Sequence, residues 1–328
     1  MVRIPTWKRS WIWKYCRYDC QKLKMEEHVS VLLNEAIDAL NIKKDGIYVD
    51  LTLGRGGHSS KILEKLTTGK LYCFDQDKEA IEQSRPRLEK ISSNFEIIKS
   101  NFRNFKEELE KRGISKVDGI LMDLGVSSPQ FDNEERGFSY KGSARLDMRM
   151  DQEQSLDAYE VINNYSLNEL CRIFREYGED KYYYQIARKI VQNRIDSPIE
   201  KTDELVDIIK SCKPQKELMK KGHPAKQIFQ AIRIEVNDEL GALKEALQKA
   251  IDMIDKNGRI VVISFHSLED RIVKNMFNSV AKIQGDRLNL YTLPDEIEKP
   301  KYELVNNKII VPSEKEMEVN SRSKSAKM

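Results

Sequence analysis

Apolar residues along the chain alternate between two rhythms. Val29, Leu32, Leu33, Ala36, Ile37 and Leu40 fall on one helical face. A break at Lys44-Asp45-Gly46 then leads into 47–51 (IYVDL), a short strand. The alternation repeats: helix over 59–66, strand over 71–74, helix over 78–90, strand over 95–98, helix over 105–111, strand over 117–122. Strands separated by helices of this length pair in parallel through crossovers. The pattern therefore predicts a doubly wound α/β sheet.

The fifth strand, 259–265 (RIVVISF), comes late. A crossover unit needs only about 30 residues, and the apolar stripe over 227–254 already supplies its helix. The stretch before it carries helical stripes of its own at 157–163, 167–177, 182–194 and 203–211. The expected organisation is a sheet domain over 26–132 and 224–328, with a small helical domain over 133–223 inserted between its fourth and fifth strands. Residues 321–328 (SRSKSAKM) read as a solvated basic tail.

Charge changes the picture at one end. The 328 residues hold 56 Lys and Arg against 53 Asp and Glu, a net +3. Residues 1–24 alone carry seven basic side chains and one acid, with all three tryptophans (Trp7, Trp11, Trp13), so the remaining body is mildly acidic. This leader lacks the apolar core of roughly 7–15 residues that marks a secretory signal. It reads as an unstructured extension over 1–25, with Met25 as a candidate start. The sharper reading is a basic-aromatic arm for nucleic acid or an anionic membrane surface. No apolar run approaches the roughly 18 residues of a membrane span. Five cysteines without a Cys-x-x-Cys pair, and four separated histidines (His28, His58, His223, His266), speak against a disulfide framework or a metal cage.

The chemistry concentrates after the first strand. Asp50-Leu-Thr-Leu-Gly54-Arg-Gly56-Gly57-His58-Ser59 places glycines where backbone can approach a ligand, with a helix N-terminus behind them. A dinucleotide fingerprint starting at Gly54 needs glycine at 59, where Ser59 stands. The second strand ends in Asp75, placed to accept hydrogen bonds from ribose hydroxyls. A glycine loop with a ribose acid and no phosphate cradle points to S-adenosylmethionine rather than a nicotinamide cofactor. The bland alternative is loop glycines beside a helix-capping acid. The fourth strand ends in Asp123-Leu-Gly125-Val-Ser127-Ser128-Pro129-Gln130. Ligands of open α/β sheets bind beyond the strands' carboxyl ends. Asp123, with Ser127 and Ser128 on the loop behind it, is thus the candidate catalytic group, and Gln130 a candidate ligand contact. The segment 136–149 is basic with Phe138 and Tyr140 interleaved. It suits either RNA stacking or packing of the insert on the sheet.

At these residues the chain resembles the bacterial methyltransferases that modify the exocyclic N4 of a decoding-centre cytosine in small-subunit (16S) ribosomal RNA, the RsmH or MraW family. The resemblance runs over about 26–326. It includes His28-Val-Ser-Val-Leu, Asp50 to Ser59, Asp118 to Gln130, Glu135-Arg-Gly-Phe138 and Leu146-Asp-Met-Arg-Met-Asp151. It continues in His223-Pro-Ala, Phe229-Gln-Ala-Ile-Arg-Ile-Glu-Val-Asn237 and Ser264-Phe-His-Ser-Leu-Glu-Asp-Arg-Ile-Val273. It implies a Rossmann-like class I methyltransferase sheet with the 133–223 insert as its substrate-recognition domain, S-adenosylmethionine contacts from Gly56, Gly57, His58, Asp75, Phe102, Asp123 and Gln130, and Phe102 against the adenine face. It also implies 16S RNA, within the small subunit, as partner and a cytoplasmic enzyme off the membrane; a homodimer stays open. Two departures stand out. The leader lies outside the family pattern, and 320–328 resembles the segment just before the family's last strand, whose loss would expose backbone donors on a sheet edge.

Methylating a cytosine carbon requires a cysteine adduct, and no Pro-Cys pair occurs here. An exocyclic amine needs no adduct, only orientation and a group to take its proton. Two other functions fit less of the pattern: a DNA amino-methyltransferase, and a cofactor- or ribosome-binding protein without catalysis. The leader supplies a test. If 1–24 is a floppy extension, a chain starting at Met25 methylates small subunits with the same rate and salt dependence as the full chain. If it is an RNA-binding arm, removing it flattens the salt dependence, because fewer counterions are released.

Overall fold

The computed structural model describes residues 30–127, 130–131, 133–282, 300–306 and 308–328. The leader, His28, Ser128 and Pro129 lie outside these. Helix α1 (Leu33–Leu40) precedes β1 (Ile47–Asp50), α2 (Gly57–Lys65), β2 (Lys70–Asp75), α3 (Lys78–Glu89), β3 (Phe95–Lys99), α4 (Phe105–Glu110) and β4 (Val117–Asp123). Six helices follow: α5 (Ala158–Asn164), α6 (Leu167–Glu176), α7 (Tyr183–Asp196), α8 (Thr202–Ser211), α9 (Gln215–Leu218) and α10 (Lys226–Asn237). The chain then returns through α11 (Glu239–Met253), β5 (Ile254–Ile263) and α12 (Ser267–Ala281), and later forms α13 (Glu314–Val319).

The five strands lie in the order β3-β2-β1-β4-β5, all parallel. This is the doubly wound arrangement expected, with its switch point between β1 and β4. The inner strands β2, β1 and β4 bury both faces, while β3 and the first half of β5 are more exposed. Leu71, Cys73, Leu121 and Ile263 pack with α1 and α2, whereas Tyr72, Phe74, Ile120 and Met122 pack with α11 residues Leu243 and Leu247. Near-continuous apolar strands of this kind belong inside a two-sided parallel sheet. Strand β5 starts at Ile254, earlier than expected, because its register against β4 slips between Val117 and Gly119. Asn257, at φ 63°, takes up the extra residues in a bulge that apolar periodicity does not reveal.

The predicted single helix over 227–254 is two helices. Asp238, at φ 46°, breaks it, and Arg103 from the loop after β3 pairs with the Asp238 carboxylate. Ile228, Ile232 and Val236 of α10 pack with Leu146, Ile162 and Phe174, so the helical core reaches past residue 223 to Val236. The 321–328 segment is docked rather than solvated. Lys327 and Ser264 exchange backbone hydrogen bonds (2.8 and 2.9 Å), as do Met328 and Ile310 (3.0 and 2.9 Å), and Ala326 is buried. Glu316 of α13 reaches back to accept the Leu32 N–H at 2.9 Å.

Both ends of the 136–149 segment pack, while Lys141 to Ser143 and Arg145 stay exposed. Arg136 is buried, pairs with Asp77 at 3.0 Å, and donates to the carbonyls of Arg149 and Met150 at 2.9 and 3.2 Å. Arg149 is held by both oxygens of Asp147. Met148 sits at φ 59°, a left-handed backbone that needs outside support. Buried Asn237 provides it, donating to the Met148 carbonyl and accepting the Met150 N–H, each at 2.8 Å. Replacing Asn237 with Ala leaves two buried backbone groups without partners, at roughly 1–3 kcal/mol each. Urea unfolding of Asn237→Ala is expected to show about 2–4 kcal/mol lost; a loss below about 0.5 kcal/mol would remove the clamp from this account.

Candidate functional site

The carboxyl ends of β1, β2, β4 and β5 open into one cleft. The glycine loop forms its floor. Gly54 (φ 50°) donates its N–H to Asp75 Oδ2 at 2.9 Å, and Gly56 (φ 72°) turns the chain into α2. Gly57 opens that helix so close to Ser30 that a Cβ there would lie 1.9 Å from the Ser30 hydroxyl. The first N–H groups of α2 therefore remain directed along the loop, where the helix dipole favours electron-rich ligand atoms.

Asp75 has a structural role as well as a place in the cleft wall. Its second oxygen accepts the Asp77 N–H at 2.9 Å, so the carboxylate fixes both the glycine loop and the turn into α3. Burial pushes its pKa up to about 6, against the two N–H donors that favour the anion. Asp77 caps α3 through the Glu79 N–H (3.0 Å) and accepts the Gln130 amide at 2.8 Å. The Gln130 carbonyl in turn accepts the Ser127 N–H at 3.0 Å. Gln130 thus shapes the loop after β4 from a buried position, and its remaining acceptor capacity faces the cleft.

Three acids crowd around the end of β4. Asp50 is buried; its Oδ2 accepts the Ser59 hydroxyl at 2.6 Å, and its Oδ1 accepts the Thr52 N–H at 3.1 Å. Thr52 Oγ1 accepts the Asp123 N–H at 2.6 Å, which ties β4 to β1. Glu269, at the start of α12, is buried with His266 Nε2 3.1 Å away, and accepts the Phe265 N–H at 2.8 Å. Between them stands Asp123. Burial, then the charges of Asp50 and Glu269, hold its carboxyl well above the usual carboxylate range. Its Oδ1 is buried without a hydrogen-bond partner among the described residues, and its Oδ2 lies 3.6 Å from His58 Nδ1. His58 Nε2 meets the Val31 carbonyl at 3.1 Å; a carbonyl only accepts, so Nε2 carries the proton and Nδ1 faces Asp123 as an acceptor. Burial lowers the His58 pKa, despite Asp50. The Nδ1 of the neutral imidazole thus faces the Asp123 carboxyl just beyond hydrogen-bond range.

Of the residues expected at the site, Gly57, His58, Asp75, Phe102, Asp123, Ser127 and Gln130 line this cleft. Gly56 does not; its missing Cβ faces Ser84 and Leu88 of α3. The cleft also takes Gln76, Met150, Phe265 and Arg322, which sequence reasoning missed. Phe265 follows β5, so the same strand-end rule that marked Asp123 reaches it. Met150 and Arg322 arrive from the insert and the docked C-terminal segment, and no local spacing announces either. Gln76 links Asn101 (2.8 Å) to the Met150 sulfur (3.3 Å). Glu269 also accepts the His266 N–H at 3.3 Å, which closes the start of α12.

Comparisons with known proteins show the family of the chain. Residues 25–328 match the model of the MraW methylase family. The chain is 57% identical over 306 residues to a protein of Streptococcus equi subsp. equi named ribosomal RNA small subunit methyltransferase H, spanning 92% of this chain and 96% of that one. Among solved structures, it is similar to a putative methyltransferase from Streptococcus mutans in complex with SAH, at 23% identity, over 31% of this chain and 56% of that one, with a TM-score of 0.26. It is also similar to NSun6 from Pyrococcus horikoshii with SFG, at 13% identity, over 79% and 44%, with a TM-score of 0.38. With the family model matched over nearly its whole length and a relative this close, the chain belongs to the MraW methylase family.

Proposed function

We propose that this protein transfers a methyl group from S-adenosylmethionine to the exocyclic N4 of a cytosine in the decoding region of 16S ribosomal RNA. The small ribosomal subunit in the cytoplasm is its setting. The observation that carries the reading is the buried, unpartnered oxygen of Asp123, set in a cleft beside a glycine loop and a ribose-type acid. A second orphan, Ser127 Oγ, lies in the same wall. Buried polar atoms without partners mark places where a ligand completes the hydrogen bonding.

The residues fit the cofactor. Asp75 keeps acceptor capacity for ribose hydroxyls, Phe102 offers a flat apolar face, and the glycine loop leaves room for backbone contact. When bound, S-adenosylmethionine supplies an electrophilic methyl group on a sulfonium. The protein's task is to aim a weak nucleophile at it. The amine lone pair of cytosine is delocalised into the ring, and Asp123 Oδ1 counters this by accepting a hydrogen bond from the amine and then its proton. The Ser127 hydroxyl can hold the base edge, and Ser128, beyond the described residues, is proposed to help. Orientation and a preorganised polar wall supply most of the acceleration. Buried Cys73 lies below the cleft, its thiol pushed up by burial and so held protonated. Cys171 belongs to the helical core. Neither is placed for covalent catalysis.

Three outcomes test this. Asp123→Asn is expected to cost on the order of 10²-fold or more in kcat, read as labelled methyl transferred to small subunits from cells lacking the enzyme. The proton-accepting form of Asp123 is populated only as pH rises through its raised pKa. Wild-type kcat should therefore climb along a limb above the roughly pH 4 of ordinary carboxylates, and Asp123→Asn should lose that limb. Asp75→Ala should weaken cofactor binding about 5- to 150-fold by calorimetry, from roughly 1–3 kcal/mol of unsatisfied donors. An unchanged dissociation constant in the folded variant would sink the ribose-acid assignment. A chain with Cys73, Cys171 and Cys212 changed to Ala should keep turning over; loss of turnover while folded, or a product methylated at carbon 5, would overturn direct transfer to the amine.

A further inference from the structure

The segment from Lys210 to Lys226 holds six lysines and a single acid, Glu217, on a chain whose body is otherwise mildly acidic. Lys213 turns inward, pairing with Asp180 at 2.5 Å and donating to the Pro224 carbonyl at 2.7 Å. That pair fixes the loop, and the other five lysines stay exposed. Lys220 meets Glu217 at 2.7 Å and Lys210 lies 3.8 Å from Asp207; Lys216, Lys221 and Lys226 make no ion pair among the described residues. In their midst His223 stacks on Tyr140, centroids 4.3 Å apart at 10°, and Tyr140 meets the buried Phe229 edge-on at 6.0 Å. The Ala225 N–H donates to His223 Nδ1 at 3.2 Å, which fixes the ring. Burial, with the charges of Lys210 and Lys141, lowers the His223 pKa, so the ring stays neutral and flat among cations.

We propose that this face of the helical insert, centred on the Tyr140–His223 stack and ringed by Lys141, Lys210, Lys216, Lys221 and Lys226, grips the ribosomal RNA substrate beside the target base. The inference rests on the RNA-methylating function proposed above and adds where the substrate is held. Charge complementarity selects the occupant. A phosphate backbone is the polyanion that both releases counterions from lysines and offers bases to stack on a half-exposed aromatic pair. An acidic protein segment would use the lysines alone. The patch also connects to the cleft. Gln130 lines the cleft, its neighbour Phe131 meets Phe138 edge-on at 6.5 Å, and Tyr140 follows two residues later. Arg322, which lines the cleft, lies over Phe131 at 5.8 Å, adding a cation at the near end of that path.

Two full-length variants test it. In the first, Lys210, Lys216, Lys221 and Lys226 all become Gln. The slope of log affinity against log salt for single-stranded 16S RNA should fall by about 3, at roughly 0.7 per lysine. KM for unmethylated small subunits should rise about tenfold or more with kcat nearly unchanged. In the second, His223→Ala, RNA affinity should fall about 5- to 150-fold from lost stacking, with the salt slope intact. S-adenosylhomocysteine binding, by calorimetry, should be the same in both as in wild type. Unchanged RNA affinity, slope and KM in folded variants would overturn the proposal. So would lost affinity for polyglutamate with RNA binding intact, which would assign the patch to an acidic protein. A wild-type enzyme that binds RNA through the patch but leaves N4 unmethylated would instead refute the function and spare the surface.

Discussion

The site depends on one buried ion pair. Asp77 and Arg136 meet where the helical insert leaves the sheet, their side chains only 6% and 4% exposed. Asp77 caps α3 and holds Gln130, while Arg136 holds the carbonyls of Arg149 and Met150. Both charges thus have several partners, although Arg136 Nε has none among the described residues; a pair so held is tolerable in a protein interior. Breaking it by removing one partner leaves the other charge stranded, at about 3–5 kcal/mol. Three structures would loosen together: the first turn of α3, the loop after β4 that carries Ser127, and the Met148–Met150 turn at the cleft wall. The pair therefore secures geometry rather than adding bulk stability.

A second constraint runs the other way. Asp50, Asp123 and Glu269 bring three carboxyl groups to the ends of β1, β4 and β5. Asp50 accepts hydrogen bonds on both oxygens, from Ser59 and Thr52, and Glu269 accepts the Phe265 N–H on one. Asp123 Oδ1, buried between them, has no partner among the described residues. Its neighbours' charges and its burial make the anion costly there, which is how a carboxyl group becomes a competent proton acceptor near neutral pH.

The sheet was legible because its strands and crossovers have short-range periods. Ile47 to Asp50 and Val117 to Asp123 show themselves as apolar runs bounded by turn residues. Gly57, Asp75 and Asp123 were legible because the strand-end rule needs only the order of elements. Other features depend on partners distant in sequence. The break at Asp238 depends on Arg103, and the left-handed Met148 depends on Asn237. Whether Arg136 met RNA or Asp77 could not be decided from its neighbours along the chain. The basic spacing of 321–328 looks like a free tail until Lys327 finds Ser264. Gly56 followed the motif into the ligand list, yet its close contact is with α3, because adjacent residues of a tight turn face opposite ways.

The late position of β5 also bears on how the molecule assembles. Strands β4 and β5 are hydrogen-bonded neighbours, yet roughly 130 residues separate Asp123 from Ile254. Closing so long a loop costs about 4 kcal/mol of chain entropy before the first bond between them forms. The helical insert has its own core, from Phe138 to Val236, in which no contact spans as much chain as the β4–β5 pairing. Helices of this kind form early and fast compared with distant strand pairs. Once they pack, the open span between β4 and β5 shrinks to the two short connections on either side. The element that interrupts the sheet in sequence is then what allows its last strand to find its place.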